Sequence, residues 1–508
     1  MARTLTYTHN RFDGGMTDDI RDVPTQSASL AQMALIKHCD IYRNRSVLYT
    51  MPGYVSRNSF AEAGNTNVKQ YDIRAFNFNV SQDIYAVGTK SDGTGSKLLQ
   101  YEESEQYWKV PEIGGAWAEE GTDNLATRPF LYYDNPQFYY PTVASGNTFV
   151  TEHGENATPH VDNDWATYYT FAQLTSQFKV KRGFDGVDYI AADGITGLKS
   201  ISSGGLVGAK STTMFVNDFE TGNYQIGIVG FSTDPVRSQV LQWDSQSLLN
   251  DQNVQVGNGR ARVVGYPNGI WTIVMDESMT SFTESDIEAN GTPSMSVKAL
   301  SGETAETIYR VFAPNNTNAV VETVVGGYRD AMAWYAKIPT EDGYNQGIWA
   351  FGRGELEGKA GVSILLDTES LGRVETCAWR GFDCWFAHNE DGSVSQLDDF
   401  TTGTYDVDAT LETLVYGAKS PYLKGLKGLT INTSELTTQS VTVQYRLDRS
   451  TTWVDMGTST KGQRHSFTKA QGGVVGRFQE IQFRIVLSGK MEVTGITIQI
   501  EETDDLPY

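Results

Sequence analysis

The sequence is poor in cysteine, which excludes the protein classes built on disulfide or cysteine-ligand frameworks. It contains three cysteines, Cys39, Cys377 and Cys384, in 508 residues. An odd and sparse count argues against a disulfide framework and is typical of a reducing compartment. Cys377 and Cys384 lie in "CAWRGFDC", a spacing that would let them meet across a hairpin. We expect them to be buried thiols, since free cysteine behaves as a small apolar residue.

Signatures of known catalytic and phosphate-binding sites are also missing. There is no HExxH, GxSxG or P-loop pattern, and the glycine-rich "TGLKSISSGGLVG" lacks a GK[ST] ending. Among six histidines, His153 and His160 have acidic neighbours, which leaves a metal site open beside the expected solvated loop. The sequence therefore predicts no enzyme, no catalytic residues, no cofactor and no metal. A glycosidase with paired carboxylates stays an alternative, because 62 acidic residues offer too many pairs to select one.

Positive charge is scarce as well. The chain has 40 basic and 62 acidic residues, a formal net charge of -22, and no basic run. Binding to nucleic acid phosphates needs clustered Lys and Arg, so the charge argues against a nucleic-acid-binding function. Acidity of this size favours solubility, and it would also suit a surface past which DNA moves without adhering.

Long hydrophobic runs are absent. No stretch approaches the roughly 18 apolar residues that cross a membrane as a helix, and the first residues, "MARTLTYTHNRFDGG", carry no apolar segment. We therefore expect neither membrane insertion nor a signal peptide, and synthesis in the cytoplasm.

The residues that are abundant indicate an all-β fold. The sequence combines 50 Gly with 26 Tyr, 22 Phe and 10 Trp, a mixture typical of short strands joined by tight turns. Runs with an aromatic followed by apolar and small residues recur: "DIYAVGT" at Asp83, "DYIAADG" at Asp188, "GIWTIVMDE" at Gly269, "GIWAFGR" at Gly347 and "DCWFAHN" at Asp383. Their irregular spacing is near multiples of the blade length of β-propellers. The pattern predicts a β-propeller-like domain of five to seven blades over 61–405, with a stack of unrelated β-sandwiches as the alternative.

Strict alternation of apolar and polar residues marks the C-terminal part. Val441, Val443 and Tyr445 alternate with polar residues, as do Ile481, Phe483 and Ile485. Period-two alternation in turn-separated segments predicts a β-sandwich over 406–508 with one buried face per strand. We expect Trp453 to fill its core.

The first 60 residues have little core of their own. "TYTHNRFDGGMTDDIRDVPTQSAS" is polar and rich in turn residues, and "LAQMALIKHCDIYR" predicts a short helix with Leu30, Met33 and Ala34 on one face. Such a segment is ordered by its neighbours. We therefore predict an extended N-terminal assembly arm over 1–60, ordered by its own chain or by other subunits.

The same N-terminal segment resembles the start of podophage tail nozzle (tail tubular) proteins, which carry β-propeller domains. The resemblance rests on "RFDGGMTDDIRDVP" and "CDIYRNRSVLYTMPGY", and loosely on Tyr445, Asp448 and Trp453 near the C-terminus. The matching N-terminal positions are Phe12, Gly14, Gly15, Met16, Arg21, Pro52 and Gly53. The resemblance implies a structural protein of a bacteriophage tail, located in the virion and made in the host cytoplasm.

The resemblance also implies partners and an interface. The expected partners are copies of the chain itself, forming a ring, and other virion proteins, with passing DNA left unbound and contact with the host surface possible. The residues expected at the subunit interface are Phe12, Gly14, Gly15, Met16 and Arg21. Two alternatives remain: a tail protein that binds a host glycan receptor, in which Tyr132, Tyr133, Tyr139 and Tyr140 would stack on sugars, and the propeller glycosidase.

Overall fold

The computed structural model describes most of both ends of the chain and separate strands in between. It covers residues 3–109 except 63–64, 67–70, 79–80 and 91–95, and residues 304–503 except 314–319, 329–330, 341–342, 354–359, 381, 389–391, 435–438, 461 and 469–474. From 124 to 301 it gives the backbone of individual strands, with side chains at 272–275 and 294–299. Every regular element in these ranges is a strand, apart from one 3-10 helix at Glu369–Leu371.

Six short strands come first, and seven successive groups of strands follow. The first six are β1 (Arg3–His9), β2 (Ala28–Leu30), β3 (Leu35–Lys37), β4 (Cys39–Asn44), β5 (Val47–Thr50) and β6 (Tyr54–Ser56). The first group is β7 (Phe60–Glu62), β8 (Asn65–Thr66), β9 (Tyr71–Phe78), β10 (Ile84–Lys90), β11 (Ser96–Glu102) and β12 (Tyr107–Lys109). The second is β13 (Asn124–Leu125), β14 (Tyr132–Asp134), β15 (Gln137–Ala144), β16 (Asn147–Gly154) and β17 (His160–Asp162). The third is β18 (Tyr168–Phe171), β19 (Phe178–Gly183), β20 (Asp188–Ala192) and β21 (Lys199–Ile201).

The later groups continue in chain order. The fourth is β22 (Gln225–Thr233), β23 (Val236–Asp244) and β24 (Gln252–Asn258), and the fifth is β25 (Arg260–Gly265), β26 (Thr272–Asp276), β27 (Thr292–Ser301) and β28 (Thr304–Ala313). The sixth is β29 (Val320–Tyr328), β30 (Ala331–Thr340), β31 (Gly343–Gly352) and β32 (Gly361–Asp367), and the seventh is β33 (Val374–Arg380), β34 (Asp383–His388) and β35 (Ser393–Leu397). The C-terminal strands are β36 (Ala409–Glu412), β37 (Lys424–Thr433), β38 (Ser440–Leu447), β39 (Val454–Ser459), β40 (Arg464–Phe467), β41 (Ile481–Ser488) and β42 (Glu492–Glu502).

The seven groups form a β-propeller-like body. Within the groups most consecutive strands pair antiparallel; in the first group β12 also pairs parallel with β7, and in the second both β13 and β14 pair with β15. Neighbouring groups pack together through the series β22, β25, β29, β33 and β9. The contact between β33 and β9 brings the last group against the first. Strand β6, which precedes the first group in the chain, pairs with β35 and completes the seventh sheet. The structure therefore confirms the predicted propeller-like all-β fold, and the seven groups fall within the predicted range of blades.

All five predicted strand runs are strands. They correspond to β10, β20, β26, β31 and β34 in the first, third, fifth, sixth and seventh blades. Aromatic residues from these runs fill the space between blades. Trp385 of the seventh blade packs edge-on against Trp108 and Tyr101 of the first, with ring centroids 5.8 and 4.6 Å apart. Pairs of this geometry contribute about 0.5–1.5 kcal/mol each beyond their buried area, so they stabilise the junction that closes the ring.

A two-sheet sandwich packs beside the propeller. One sheet has the order β2-β1-β42-β37-β40 with β4 and β5 attached, and the other contains β3-β36-β41-β38-β39. The alternation seen in the sequence is confirmed, because Val441, Val443, Ile481, Phe483 and Ile485 have no exposed area.

The N-terminal segment belongs to these sheets, and the helix predicted there is wrong. Leu30 lies in β2 and Leu35 in β3, while Met33 forms a parallel bridge with Met16. Strand β1 pairs with β42 over seven residues, from Arg3 opposite Glu502 to His9 opposite Ile496. Hydrogen bonds to strands from the far end of the chain outweigh the local helical pattern, because propensity is a weak signal beside tertiary pairing.

One sheet joins the propeller to the sandwich. Strand β32 of the sixth blade pairs with β3 at Lys37 opposite Ile364, and β3 continues through β36 into the sandwich. The resulting nine-stranded sheet runs from β29 to β39. The division into 1–60, 61–405 and 406–508 stays a prediction, but strands from the first range complete sheets in both of the others.

Candidate functional site

Four of the five residues predicted at a subunit interface lie inside the chain's own core. Phe12 has no exposed area, Met16 is 4% exposed, and Gly14 and Gly15 are buried. They pack against the start of β32 and the segment before β3. Their arrangement in this structure therefore serves packing within one chain, and Arg21 alone of the five has a largely exposed side chain, at 46%.

Gly15 explains why this segment needs glycine. Its φ is +61°, and a Cβ there would lie 2.6 Å from both the backbone N and O of Val362. The backbone N–H of Met16 donates to the carbonyl of Val362 at 2.8 Å, and Met33 N–H donates to the Gly15 carbonyl at 3.0 Å. The close approach and the left-handed conformation together favour a residue without a side chain. Gly15 thus holds the N-terminal segment on the outer strand of the sixth blade.

The Pro52-Gly53 step, also part of the resemblance, holds a second exposed segment. The N–H of Gly53 donates to the carbonyl of Thr404 at 2.9 Å, and its carbonyl accepts from the N–H of Asp398 at 2.9 Å. We call residues 398–408 the acidic turn, because this segment contains Asp398, Asp399, Asp406 and Asp408 and no basic residue.

A cleft of about 1050 Å³ lies where the propeller meets the sandwich. Its floor is the outer face of the sandwich sheet. In β38 and β41 the residues that alternate with the buried ones point outward, and these include Gln444, Arg446, Gln482 and Arg484. Period-two geometry therefore places a row of polar and cationic side chains on one surface.

The walls of the cleft come from elsewhere in the chain. Tyr309 and Phe312 of β28 and Tyr344 at the β30–β31 turn line the propeller side. Tyr344 is 48% and Phe312 is 38% exposed, and the ammonium of Lys337 lies 4.2 Å from the centroid of the Tyr344 ring. Burial, and then the charge of Asp18, raise the pKa of Tyr309, so this wall presents a neutral phenol.

Trp453 lies beside the floor and not in the sandwich core, so that prediction is wrong. Its ring packs under two guanidinium groups, with Arg446 Cζ 4.6 Å and Arg484 Cζ 4.3 Å from the ring centroid. The residue is only partly buried. Guanidinium groups stack on aromatic faces because they are planar and weakly hydrated, so Trp453 orients both arginines at the cleft.

Ion pairs hold several other charged side chains of the cleft. Arg484 Nη2 lies 2.7 Å from Glu412 Oε1. Glu480 lies between two cations, 3.5 Å from Arg21 Nε and 3.6 Å from Arg449 Nη2.

Arg446 has spare hydrogen-bonding capacity. Its Nε donates to Gln482 Oε1 at 2.8 Å, and its terminal nitrogens have no partner among the described residues. The exposed side chain of Arg449, at 72%, stands at the turn that follows β38. Arg446, and Arg449 by exchange of its ion pair with Glu480, are the cationic groups that we expect a carboxylate ligand to contact.

The sign of charge in the cleft is opposite to that of the chain. Five acidic residues line it, against six basic ones: Arg21, Lys37, Arg310, Arg446, Arg449 and Arg484. The whole chain carries a net charge of -22. Anionic groups are therefore repelled less here than over an average part of the surface. The period-two alternation of the sequence predicts that Arg446 and Arg484 face outward. It does not predict the cleft, because the walls of the cleft come from segments distant in sequence.

The other predicted features have mixed outcomes. Cys39, Cys377 and Cys384 are buried free thiols, as expected, and burial raises the pKa of Cys384 well above its usual value. The side chains of His153 and His160 lie outside the described residues, as do those of the tyrosines in β14 and β15. The backbone sets His160 opposite Glu152.

Two histidines are buried where the N-terminal segment meets the rest of the chain. His9 Nε2 lies 2.6 Å from the hydroxyl of Tyr416, and His38 Nδ1 accepts a hydrogen bond from the N–H of Asp367 at 3.1 Å. Burial lowers the pKa of His9 to about 4 and that of His38 to about 3. Both rings are therefore neutral at pH 7.

Within the described ranges, no group of three or more His, Cys, Asp or Glu side chains has the arrangement of a metal site. No helix in the part of the chain that the structure covers has the length and apolar character to cross a membrane.

No protein-family model matches the chain, and no curated protein is similar to it in sequence. Solved structures are similar at low identity. The β-propeller domain of Cps50 (Swd1) from Myceliophteria thermophila has a TM-score of 0.37 at 8% identity, covering 64% of this chain and 96% of its own. YCF48 from Cyanidioschyzon merolae has 0.36 at 9%, covering 65% and 97%. An exo-β-1,3-galactanase from Phanerochaete chrysosporium has 0.29 at 12%, covering 87% and 99%. These similar structures include an enzyme and non-enzymatic propellers, and similarity this low carries no argument for either.

Proposed function

We propose that this protein is a structural component of a bacteriophage tail, a ring-forming nozzle or tail-tube-associated protein through which DNA passes. The observation that carries the proposal is the nine-stranded sheet from β29 to β39, which joins the propeller to the sandwich. Relative motion of the two bodies would break main-chain hydrogen bonds between β32 and β3. A rigid body of this kind suits a load-bearing assembly subunit.

The residues that carry the family resemblance have defined places in the fold. Gly15 and Gly53 have local geometric roles, and each anchors an N-terminal residue to a distant segment. The positions on which the resemblance rests therefore have structural roles in this chain, which is compatible with the proposal.

The charge is compatible with a DNA passage. With a net charge of -22, most of the surface repels phosphate groups, so DNA would move past a ring of these subunits without strong adhesion.

The test has two parts. Mass spectrometry of purified virus particles should detect the chain, and electron microscopy of the purified protein should show closed rings. Absence from particles together with a monomeric mass in solution would refute the proposal.

The two alternative functions, glycan binding and glycoside hydrolysis, both predict an interaction with carbohydrate. Exposed aromatic residues such as Tyr344 are typical of sugar-stacking surfaces, so a glycan receptor-binding role predicts saturable binding on a glycan array. A propeller glycosidase predicts release of sugar from a polysaccharide, abolished by one carboxylate substitution. Turnover of this kind would replace the structural proposal by an enzymatic one.

A further inference from the structure

The arginines of the cleft and the acidic turn lie toward opposite ends of the same sandwich sheet. The cleft runs along β41 from its start, where Ile481 lies opposite Leu447 and close to Arg446, to Val486 and Thr410 near its other end. The acidic turn leads into β36, whose first residue, Ala409, lies opposite Leu487 near the end of β41. At about 3.4 Å per residue, the stretch of β41 from Ile481 to Leu487 separates the arginines from the acidic turn by roughly 20 Å.

The exposed groups of the acidic turn complement those of the cleft. Asp399 accepts hydrogen bonds from the N–H groups of Thr401 and Thr402, so its carboxylate is used within the turn. Asp406 and Asp408 are exposed, and Asp408 makes no hydrogen bond or ion pair with any described residue. Lys490 Nζ donates to the carbonyl of Thr401 at 3.3 Å, which helps to hold the turn in place.

The cleft has the composition of a protein-binding hot spot. Trp, Tyr and Arg dominate the binding energy of interfaces, and here Trp453 orients Arg446 while Tyr344 stands exposed on the facing wall. Carboxylates suit guanidinium groups because the planar fork allows paired hydrogen bonds.

We propose that the cleft of one copy receives the acidic turn of a second copy of this chain, with Arg446 and Arg449 facing Asp406 and Asp408. This inference rests on the proposed function, because it names the contact by which subunits of the ring would associate. Since the arginines and the acidic turn are different surfaces, toward opposite ends of this sheet, the contact is head-to-tail. Repetition of such a contact closes into a ring or extends as a filament.

The experiment uses two charge-reversed full-length chains, R446E/R449E and D406K/D408K. Sedimentation velocity is measured for each alone and for an equimolar mixture, at low and at high salt. The inference predicts that each variant alone associates only at concentrations about tenfold higher than wild type, or more, since close interfacial charge pairs couple strongly. The mixture should assemble again, with the two chains alternating, because each reversed cleft then meets a reversed turn.

A matched control tests whether any double reversal has this effect. The variant K427E/R464E also reverses two positive charges, but on the other sheet of the sandwich, where Lys427 is 42% exposed. It should assemble like wild type. Assembly of the mixture also shows that both variants are folded. High salt should weaken wild-type association, since partly exposed charge pairs are screened.

The outcomes separate this inference from the proposed function. If wild type forms rings and both variants do so equally well, the inference is wrong and the tail function stands. If wild type is monomeric alone but enters particles, and R446E/R449E does not, the cleft binds another virion protein and the choice of a second copy is wrong. If wild type neither associates nor enters particles, both are wrong.

Discussion

Replacing Gly15 by alanine tests the contact that attaches the N-terminal segment to the sixth blade. The left-handed φ of +61° costs an L-residue about 1–2 kcal/mol. The added Cβ would also lie 2.6 Å from two backbone atoms of Val362. Those atoms belong to a paired strand and cannot move alone, so overpacking adds about 1–3 kcal/mol. We therefore expect Gly15→Ala to lower the free energy of unfolding by roughly 3 kcal/mol, a large part of the 5–15 kcal/mol typical of folded proteins.

Two further glycines separate the causes. Gly343→Ala has a positive φ of +140° but open space around it, and Gly425→Ala has an ordinary φ and open space. Urea unfolding followed by tryptophan fluorescence should rank the losses as Gly15 largest, Gly343 intermediate and Gly425 smallest. If Gly15→Ala unfolds at the same urea concentration as Gly425→Ala, the described contact with β32 does not exist in solution.

Three further predictions concern individual side chains. Because burial holds the pKa values of His9 and His38 near 4 and 3, below the unfolded value of about 6.5, acid favours the unfolded chain. Each histidine should lower the free energy of unfolding by about 2 kcal/mol as the pH falls from 7.5 to 5. In His9→Gln the free energy of unfolding should depend less on pH, and the difference from wild type measures the contribution of His9. Lys424→Met should cost roughly 2–4 kcal/mol in urea unfolding, because the buried ammonium donates to three backbone carbonyls; a neutral effect would contradict that network. Trp453→Ala should cost about 1 kcal/mol, whereas Trp385→Ala should cost about 3–5 kcal/mol, and equal losses would place Trp453 in the core after all.

The closure between the first and last groups of described strands depends on pairs that no local pattern indicates. The run at Gly347 predicts a strand correctly because its apolar residues are needed wherever a strand is buried on both faces. Nothing in "YVS" at Tyr54 predicts that this strand completes the seventh blade more than 300 residues later, since that pairing depends on how the whole ring closes.

Local alternation and composition determined the β class, the strands of the sandwich and the buried thiols, because each follows from residue type and period alone. Only the tertiary structure decided that "LAQMALIKHC" forms strands, that Phe12 and Gly15 pack inside the chain, and that Trp453 stacks on arginines at a cleft. In each of these cases the deciding contact joins segments far apart in sequence. Its free energy outweighs local preference, and the sequence pattern does not reveal which distant strand will supply it.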